Sequence, residues 1–141
     1  MTAQSTTAGT RAAAEIAASD GLLRFALKTD AAMTAANGLA YLAGFALLDG
    51  WLGVPAALLA GVGAFLLAFA VFVGRVAMQP EISRLAAGGI VAANLLWAVD
   101  SVILLLVDGF SPTLAGQIVI AVQAAGVAGL AGLQYAGLRR A

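Results

Sequence analysis

The sequence predicts an all-α, polytopic membrane protein with four transmembrane helices. The chain has 141 residues, of which 62% are hydrophobic and 10% are charged, whereas soluble domains carry about 25% charged residues. It contains four apolar stretches, and each is close to the roughly 20 residues that a helix needs to cross a bilayer. Because so few charges could not cover this much apolar surface in water, lipid must be part of the protein's solvent.

The N-terminal part is expected to lie outside the membrane. Residues 1–20 are rich in Ala, Ser and Thr, which predicts a mobile cytoplasmic tail with a helix from Arg11. No basic start followed by an apolar region is present, so a signal peptide is not expected. Residues 21–29 are apolar with Arg24 and Lys28 one turn apart, which indicates a short interfacial helix or a basic approach to the membrane. Residues 21–141 then form the transmembrane domain.

The spans are expected at residues 31–48, 55–74, 85–107 and 114–138. Pro55 suits the first turn of the second span, where its missing N–H has no helical partner to lose. The pairs Asp49-Gly50 and Asp108-Gly109 predict turns after the first and third spans.

The basic residues predict the orientation of the four spans. All seven lie before the first span, between the second and third, or after the fourth: Arg11, Arg24, Lys28, Arg75, Arg84, Arg139 and Arg140. The opposite loops carry only Asp49 and Asp108. The positive-inside rule then places both termini of a multi-pass membrane protein in the cytoplasm.

The two halves of the chain look alike. The first span reads NGLAYLAGFALLDGWLGVP and the third reads NLLWAVDSVILLLVDGFSPT. Each has Asn, then an aromatic residue, then Asp-Gly-aromatic and Pro. Since both halves have the same predicted orientation, this pattern predicts two parallel helical-hairpin repeats.

Three segments carry a resemblance to a known group: RFALKTDAAMTAANGLAYLA, NLLWAVDSVILLL and SPTLAGQIVIAVQAAGVAGLAGLQYAGLRR. They resemble small four-helix integral membrane proteins of actinobacteria, which are usually described only as uncharacterised, over residues 22–140. The layout is also similar to that of DoxX-type four-helix proteins. The resemblance implies a four-helix shape and no particular activity.

Composition removes several kinds of chemistry. Histidine and cysteine are absent and the net charge is zero. Disulfides, thiol catalysis and zinc or haem held by these side chains are therefore excluded, and nothing indicates nucleic acid. No phosphate loop, catalytic triad, metal cluster or dinucleotide fingerprint is present, so neither a cofactor nor a metal is expected.

The third span contains an acid, Asp100. A carboxyl group inside a bilayer costs about 3 kcal/mol by insertion scales, so it normally faces a partner, a cavity or a substrate. No lysine or arginine lies inside any predicted span, and desolvation favours the neutral acid, which can donate a proton. The sequence therefore predicts Asp100 as the catalytic residue of a pocket between spans one and three, closed by span four.

Neighbouring polar and aromatic side chains complete this pocket. Helical spacing puts Asp30, Thr34, Asn37 and Tyr41 on one stripe of the first span, facing the bundle interior. The substrate-binding residues expected for an apolar small molecule are Asn94, Trp97, Asn37, Tyr41, Ser101 and Gln123. The alternative is that the amides only hydrogen-bond between helices and that Trp97 only packs.

Two further sets of residues have structural interpretations. Asp30, Asp49 and Asp108 stand at span ends and are expected to be helix caps or interface residues. Small residues recur at helical spacing on spans two and four, and should let helices approach closely inside the bundle first and in a homodimer second. They are Ala57, Gly61, Ala64 and Ala68, and Ala121, Ala125, Ala128 and Gly132.

Three functions remain open from the sequence. The first is a membrane-embedded isomerase or cyclase that uses Asp100 as acid or base on an apolar small molecule. The second is a small proton-coupled transporter that acts as an oligomer. The third is a structural or accessory subunit in which Asp100 pairs with a cation on a partner.

Overall fold

The computed structural model describes residues 2–107 and 111–141. In these ranges the chain forms four helices and no strand: α1 (Thr2–Leu52), α2 (Ala56–Ala77), α3 (Arg84–Leu106) and α4 (Leu114–Arg140). All four are long and apolar enough to cross a membrane. The predicted all-α class with four transmembrane helices is thus confirmed, and the chain is a multi-pass membrane protein. The predicted turn at Asp108-Gly109 lies outside the described residues.

Helix α1 is much longer than the predicted first span. It begins at Thr2, before Arg11, and residues 21–29 continue it instead of forming a separate interfacial helix. Alanine is the best helix former, and an isolated glycine such as Gly21 costs a helix only about 1 kcal/mol. With 51 residues, α1 is about 76 Å long, more than twice the roughly 30 Å of a hydrocarbon core.

The predicted turn at Asp49-Gly50 is also wrong. The helix continues through both residues to Leu52, and the chain turns at Gly53 instead. Gly53 has a φ of 66°, in the left-handed region that favours glycine, and its N–H donates to the Asp49 carbonyl over 2.8 Å. A glycine in the left-handed conformation commonly ends a helix. Gly53 lies about one helical turn beyond Gly50, where the sequence predicts the turn.

The helices are arranged in the order α2, α1, α4, α3. Helix α1 packs along both α2 and α4, and α3 packs along α4, whereas the backbones of α2 and α3 approach each other at very few points and these two helices meet mainly through side chains. Successive helices run antiparallel, since Arg24 reaches the end of α2 and Arg84 reaches the end of α4. The bundle is therefore most loosely packed between α2 and α3, which we call its open side.

Glycines set the closest helix contacts. A Cβ atom on Gly63 of α2 would lie 2.8 Å from the Leu42 backbone nitrogen and 2.9 Å from the Gly38 carbonyl oxygen of α1. The inward face of α2 consists of buried residues, namely Leu59, Gly63, Leu66, Ala70 and Val73.

The predicted small-residue stripes are not the ones that pack inside the bundle. Every member of both stripes is exposed on this chain: Ala57, Gly61, Ala64 and Ala68 on α2, and Ala121, Ala125, Ala128 and Gly132 on α4. They share helical spacing with the inward faces but lie on other sides of their helices. Small size alone does not tell which face of a helix meets its neighbour.

One end of the bundle is closed by an apolar core and two arginines. Leu23, Leu27, Val73 and Ile90 are among the fully buried side chains there. Arg24 donates to the carbonyl oxygens of Gln79 (2.8 Å) and Pro80 (3.2 Å) and to that of Ala77, just past α2. Arg84 donates to the Leu138 carbonyl oxygen at 3.1 Å. Both arginines thus satisfy carbonyls that a helix end leaves unpaired and complement the helix dipole.

The other end is tied by Thr113, the N-cap of α4. Its backbone N–H donates to the Leu52 carbonyl oxygen at 3.0 Å, and its hydroxyl donates to the Trp51 carbonyl oxygen at 2.6 Å. The Gly116 N–H in turn donates to the Thr113 hydroxyl oxygen at 3.1 Å. The last carbonyls of α1 are therefore satisfied by the start of α4.

Candidate functional site

Four buried polar side chains from three helices meet inside the bundle, and we call them the Asp30 cluster: Asp30, Thr34, Asn94 and Gln134. Asp30 Oδ2 accepts from Asn94 Nδ2 at 2.7 Å and from Gln134 Nε2 at 2.6 Å, and its Oδ1 accepts from the Thr34 hydroxyl at 3.0 Å. Asn94 Nδ2 also donates to Gln134 Oε1 at 3.1 Å. Asp30 and Gln134 are completely buried.

The cluster corrects the interpretation of Asp30 as a helix cap or interface residue. Because α1 is helical on both sides of Asp30 and the packed bundle already begins at Leu23, this carboxyl lies within the protein interior. The prediction that the stripe from Asp30 to Tyr41 faces the bundle interior is confirmed, with Asp30 0% and Thr34 9% exposed.

The Asp30 cluster is complete in itself. Within the described residues, every buried side-chain nitrogen or oxygen has a hydrogen-bond partner. Asp30 accepts three donors, and Asn94 and Gln134 are each bonded to two other members. Polar groups that hydrogen-bond across helices stabilise membrane bundles. The cluster therefore joins α1, α3 and α4, and the Asp30 carboxyl has all its partners within the chain.

Two adjoining cavities lie along the open side of the bundle, and we call them together the α2–α3 cleft. The first has a volume of about 260 Å³ and is bounded by all four helices, and the second has a volume of about 320 Å³. Three residues line both cavities: Trp97, Asp100 and Gln123. The remaining walls are mainly aliphatic and aromatic side chains.

Asp100 projects into the cleft from α3. Its position is about 120° around the helix from the buried Asn94, at 100° per residue. The side chain is exposed on the isolated chain, and it makes neither a hydrogen bond nor an ion pair with the described residues. The expectation that Asp100 is enclosed between spans one and three is therefore wrong, although Asp100 lines cavities that α1 and α4 also border. The gap between α2 and α3 leaves it uncovered.

Aromatic rings form the contact between α2 and α3 beside this carboxyl. The Trp97 ring stacks on Phe65 with centroids 6.1 Å apart and planes at 9°, and Phe65 stacks on Phe69 at 6.1 Å and 13°. Offset stacking at such distances is favourable for aromatic pairs. Trp97 is thus both a packing residue and a wall of the two cavities, so the two interpretations of it are compatible.

The other predicted site residues also line the cleft. Tyr41 and Ser101 line the 260 Å³ cavity, and Asn37 and Asn94 line the 320 Å³ cavity. Gln123 Nε2 donates to the Tyr41 hydroxyl oxygen at 3.0 Å, and the Ser101 hydroxyl donates to the carbonyl oxygen of Trp97 at 2.8 Å. Partners within the chain hold Tyr41, Ser101, Asn94 and Gln123 in place, whereas the side chains of Asn37 and Asp100 make no hydrogen bond to the described residues, and Asp100 is the one of these two that can carry a charge.

Sequence reasoning missed the contribution of α2 to this site. Val62, Phe65 and Phe69 line the cleft, but apolar residues in an apolar span carry no chemical signal of their own. The recurrence of Phe65, Phe69 and Phe72 at helical spacing was the available signal. Within the described residues, no three His, Cys, Asp or Glu side chains come together as they would to hold a metal ion.

Comparison with known proteins gives no match to a family model, a curated protein or a solved structure. The fold and the site therefore define a class, a multi-pass four-helix membrane protein with a cleft along one side of its bundle. The resemblance to the small actinobacterial and DoxX-type proteins and the internal repeat stay predictions. Function has to be argued from the cleft itself.

Proposed function

We propose that this protein binds an apolar small molecule in the α2–α3 cleft and that Asp100 is the group that acts on it. The observation that carries this proposal is the position of Asp100. Its carboxyl lines both cavities, and no described residue hydrogen-bonds to it. A carboxyl in a membrane is costly unless it has a partner. A bound molecule supplies the partner that the chain does not.

The shape of the bundle supports access from the bilayer. Because the backbones of α2 and α3 approach each other at few points, we infer that the cleft opens sideways beside the Phe65–Trp97 contact, between two helices that are each long enough to span the membrane. A molecule dissolved in the hydrocarbon core could reach Asp100 without passing through water. The mainly apolar walls with a few polar groups fit the general character of small-molecule sites.

The chemistry that this arrangement favours is proton transfer. Among the described residues that line the cleft, Asp100 is the only carboxyl. The same carboxyl can give and take a proton, which is sufficient for a double-bond isomerisation or a cyclisation of an apolar substrate. In this function Trp97 and Phe65 orient the substrate, while the amides of Asn37, Asn94 and Gln123 contact its polar atoms.

A proton-coupled carrier is the second candidate, and the openness of the site favours it. A carboxyl without hydrogen-bond partners in an accessible cleft suits reversible binding, whereas catalysis benefits from a side chain that its neighbours fix in place. Four spans are few for a carrier, so this function requires a homodimer. The outward-facing small residues of α2 and α4 would allow close helix contacts between two copies. An accessory subunit would use Asp100 to bind a cation of a partner helix.

The basic residues support the orientation that we propose. With the arginine-capped end of the bundle on the cytoplasmic side, both termini are cytoplasmic. The resemblance to small actinobacterial membrane proteins supports a location in the bacterial inner membrane. Asp100 is then nearer the outer surface than the Asp30 cluster is.

The proposal is tested with a small apolar photolabel, 3-phenyl-3-(trifluoromethyl)diazirine, on the full chain in lipid nanodiscs. Labelling of the α3 segment that contains Trp97 and Asp100 should saturate with label concentration. Val62→Trp, on α2, fills the 260 Å³ cavity and Val127→Trp, on α4, fills the 320 Å³ cavity, so the double variant should abolish the saturable part. The matched control is the double variant Val71→Trp and Val122→Trp, on the same two helices at exposed positions outside the cleft, and it should label like wild type. Labelling that does not saturate, or that is unchanged in the blocking double variant, refutes the proposal.

Function is then assigned with Asp100→Asn. The amide has the same shape but no transferable proton. Loss of turnover of an apolar substrate supports the isomerase or cyclase, loss of uptake into vesicles supports the carrier, and loss of a co-purifying membrane protein supports the accessory subunit.

A further inference from the structure

We propose that the ligand of the α2–α3 cleft is a lipophilic cation, an apolar molecule that carries a protonated amine or another positive charge. This inference rests on the proposed function, since it presupposes that the cleft binds a small molecule. It is carried by the juxtaposition of the unpartnered Asp100 carboxyl with the stacked Trp97 and Phe65 rings.

The charge balance of the chain leaves Asp100 without a counter-ion. All seven basic residues precede the first apolar stretch, follow the fourth, or lie between the second and third. The nearest basic residue on the same helix is Arg84, which is sixteen positions from Asp100. This spacing corresponds to about 24 Å at 1.5 Å per residue. Arg84 is already bonded to the Leu138 carbonyl oxygen. A positive partner for Asp100 would therefore have to come from outside the chain.

The cavity walls provide a second, independent preference for positive charge. Trp97, Phe65 and Phe69 line the cavity of 320 Å³ together with Asp100. The faces of aromatic rings carry negative potential and attract cations, most strongly for tryptophan. These rings would also cover the apolar body of the ligand. An anion would meet both the carboxyl and the ring faces unfavourably.

The Asp30 cluster shows why a preference for a cation arises at Asp100 and not at Asp30. Asp30 is satisfied by Thr34, Asn94 and Gln134, which belong to the chain. Asp100 has free oxygens that face two adjoining cavities of about 260 and 320 Å³. A neutral apolar ligand would fill the cavities but leave this carboxyl without a partner. A cation with an apolar body satisfies both requirements at once.

The test compares three probes of nearly equal shape and different charge: tetraphenylphosphonium, tetraphenylsilane and tetraphenylborate. Radiolabelled tetraphenylphosphonium is bound to the full chain in nanodiscs of phosphatidylcholine, a lipid without net charge. Saturable binding is expected, with weak displacement by the neutral probe and none by the anion. Asp100→Asn should weaken binding of the cation about tenfold or more, since a contact to a charged group contributes roughly 1.5–3 kcal/mol, whereas Asp100→Glu should retain most of it.

The controls separate this inference from the proposed function. Asp49→Asn removes an exposed carboxyl that lies outside the cleft and should leave binding unchanged, whereas Val127→Trp, which fills the 320 Å³ cavity, should abolish it. If tetraphenylsilane binds as tightly as tetraphenylphosphonium and Val127→Trp blocks both, the cleft binds apolar molecules but not cations preferentially, and the inference fails alone. Cation binding that ignores Asp100→Asn also overturns it. If the diazirine shows no saturable labelling, the proposed function itself fails.

Discussion

Asn94 on α3 donates a hydrogen bond of 2.7 Å to the carboxyl of Asp30 on α1, and both side chains are almost completely buried. Gln134 on α4 donates to the same carboxyl oxygen at 2.6 Å. One oxygen atom thus collects donors from two other helices. Because lipid offers no competing hydrogen bonds, these groups have to find their partners inside the bundle, and this contact fixes how α1, α3 and α4 pack.

The first prediction concerns the stability of this cluster. In Asp30→Asn the amide oxygen can still accept from Asn94 and Gln134, while the amide nitrogen can donate to the Thr34 hydroxyl. We expect the free energy of unfolding to fall by less than about 1 kcal/mol. Asp30→Leu leaves two buried amides without their acceptor, and each unsatisfied group costs about 1–3 kcal/mol. Unfolding of the purified protein by titration with sodium dodecyl sulfate measures both changes.

A matched pair on α4 separates the cluster from a general effect of removing a glutamine. Gln134→Leu deletes a buried member of the cluster, whereas Gln117→Leu deletes an exposed glutamine that is bonded only to the nearby Pro112 carbonyl. The first variant should lose stability and the second should remain near wild type. Equal effects would show that the buried network does not hold the helices together.

The second prediction concerns the contact between α1 and α4 at Gly137. A Cβ atom there would lie 2.7 Å from the Leu23 backbone nitrogen and 2.8 Å from its Cα atom, so Gly137→Ala must force the two helices apart. Overpacking of this kind costs about 1–3 kcal/mol. Gly129→Ala on the same helix meets no atom within 4 Å and should be neutral or slightly stabilising. Thermal unfolding in detergent distinguishes them, and equal behaviour would contradict this contact.

The third prediction concerns the arginine at the end of α2. Arg24 donates to three carbonyl oxygens, those of Ala77, Gln79 and Pro80. Arg24→Met keeps much of the apolar stem and removes the donors, and we expect a loss of about 1.5–3 kcal/mol, the usual contribution of a hydrogen bond to a charged group. The control is Arg75→Met, an exposed arginine in the last turn of α2. The free energy of unfolding of Arg75→Met should stay within about 0.5 kcal/mol of wild type.

The sequence was sufficient for three of the four helices. The predicted spans 55–74, 85–107 and 114–138 agree with α2 (Ala56–Ala77), α3 (Arg84–Leu106) and α4 (Leu114–Arg140) to within three residues at either end. Each of these helices is a long apolar run that begins directly after Pro55, Ser83 or Thr113, so the sequence defines its start closely. The sequence does not predict the start of α1 correctly, because the charges of Arg24 and Asp30 suggest a membrane edge. In the structure the helix runs through both residues, and each has a partner in the folded chain.

The roles of the two acids could not be assigned from sequence. Asp100 stands deeper in its apolar run than Asp30 does, so position along the chain favoured Asp100 as the buried acid. Burial also depends on the angle around the helix and on which neighbours are in contact. Asp30 faces α3 and α4, whereas Asp100 lines the cavities next to α2 and α3, whose backbones approach each other at few points. Neither angle nor gap can be obtained from an apolar pattern alone.

The fourth prediction is the topology. Since the chain contains no cysteine, single-cysteine variants report one position each. Ser111→Cys, between α3 and α4, should react with a membrane-impermeant maleimide in intact cells. Glu81→Cys, between α2 and α3, should react only after the cells are opened. Reaction of Glu81→Cys in intact cells would contradict the orientation that the basic residues predict.

The last prediction contrasts Asp100 with Asp30. Because no described residue hydrogen-bonds to the Asp100 side chain, its removal breaks no hydrogen bond or ion pair within the described part of the chain. Asp100→Leu also removes a group whose presence at the centre of a span costs about 3 kcal/mol on insertion scales. We therefore expect Asp100→Leu to insert at least as well as wild type and to unfold at the same or a higher concentration of sodium dodecyl sulfate, whereas Asp30→Leu unfolds earlier. The same Asp100→Leu protein should have lost the function of the cleft. If Asp100→Leu is instead unstable, Asp100 has a structural partner. The interpretation of Asp100 as a free carboxyl in the cleft would then be wrong.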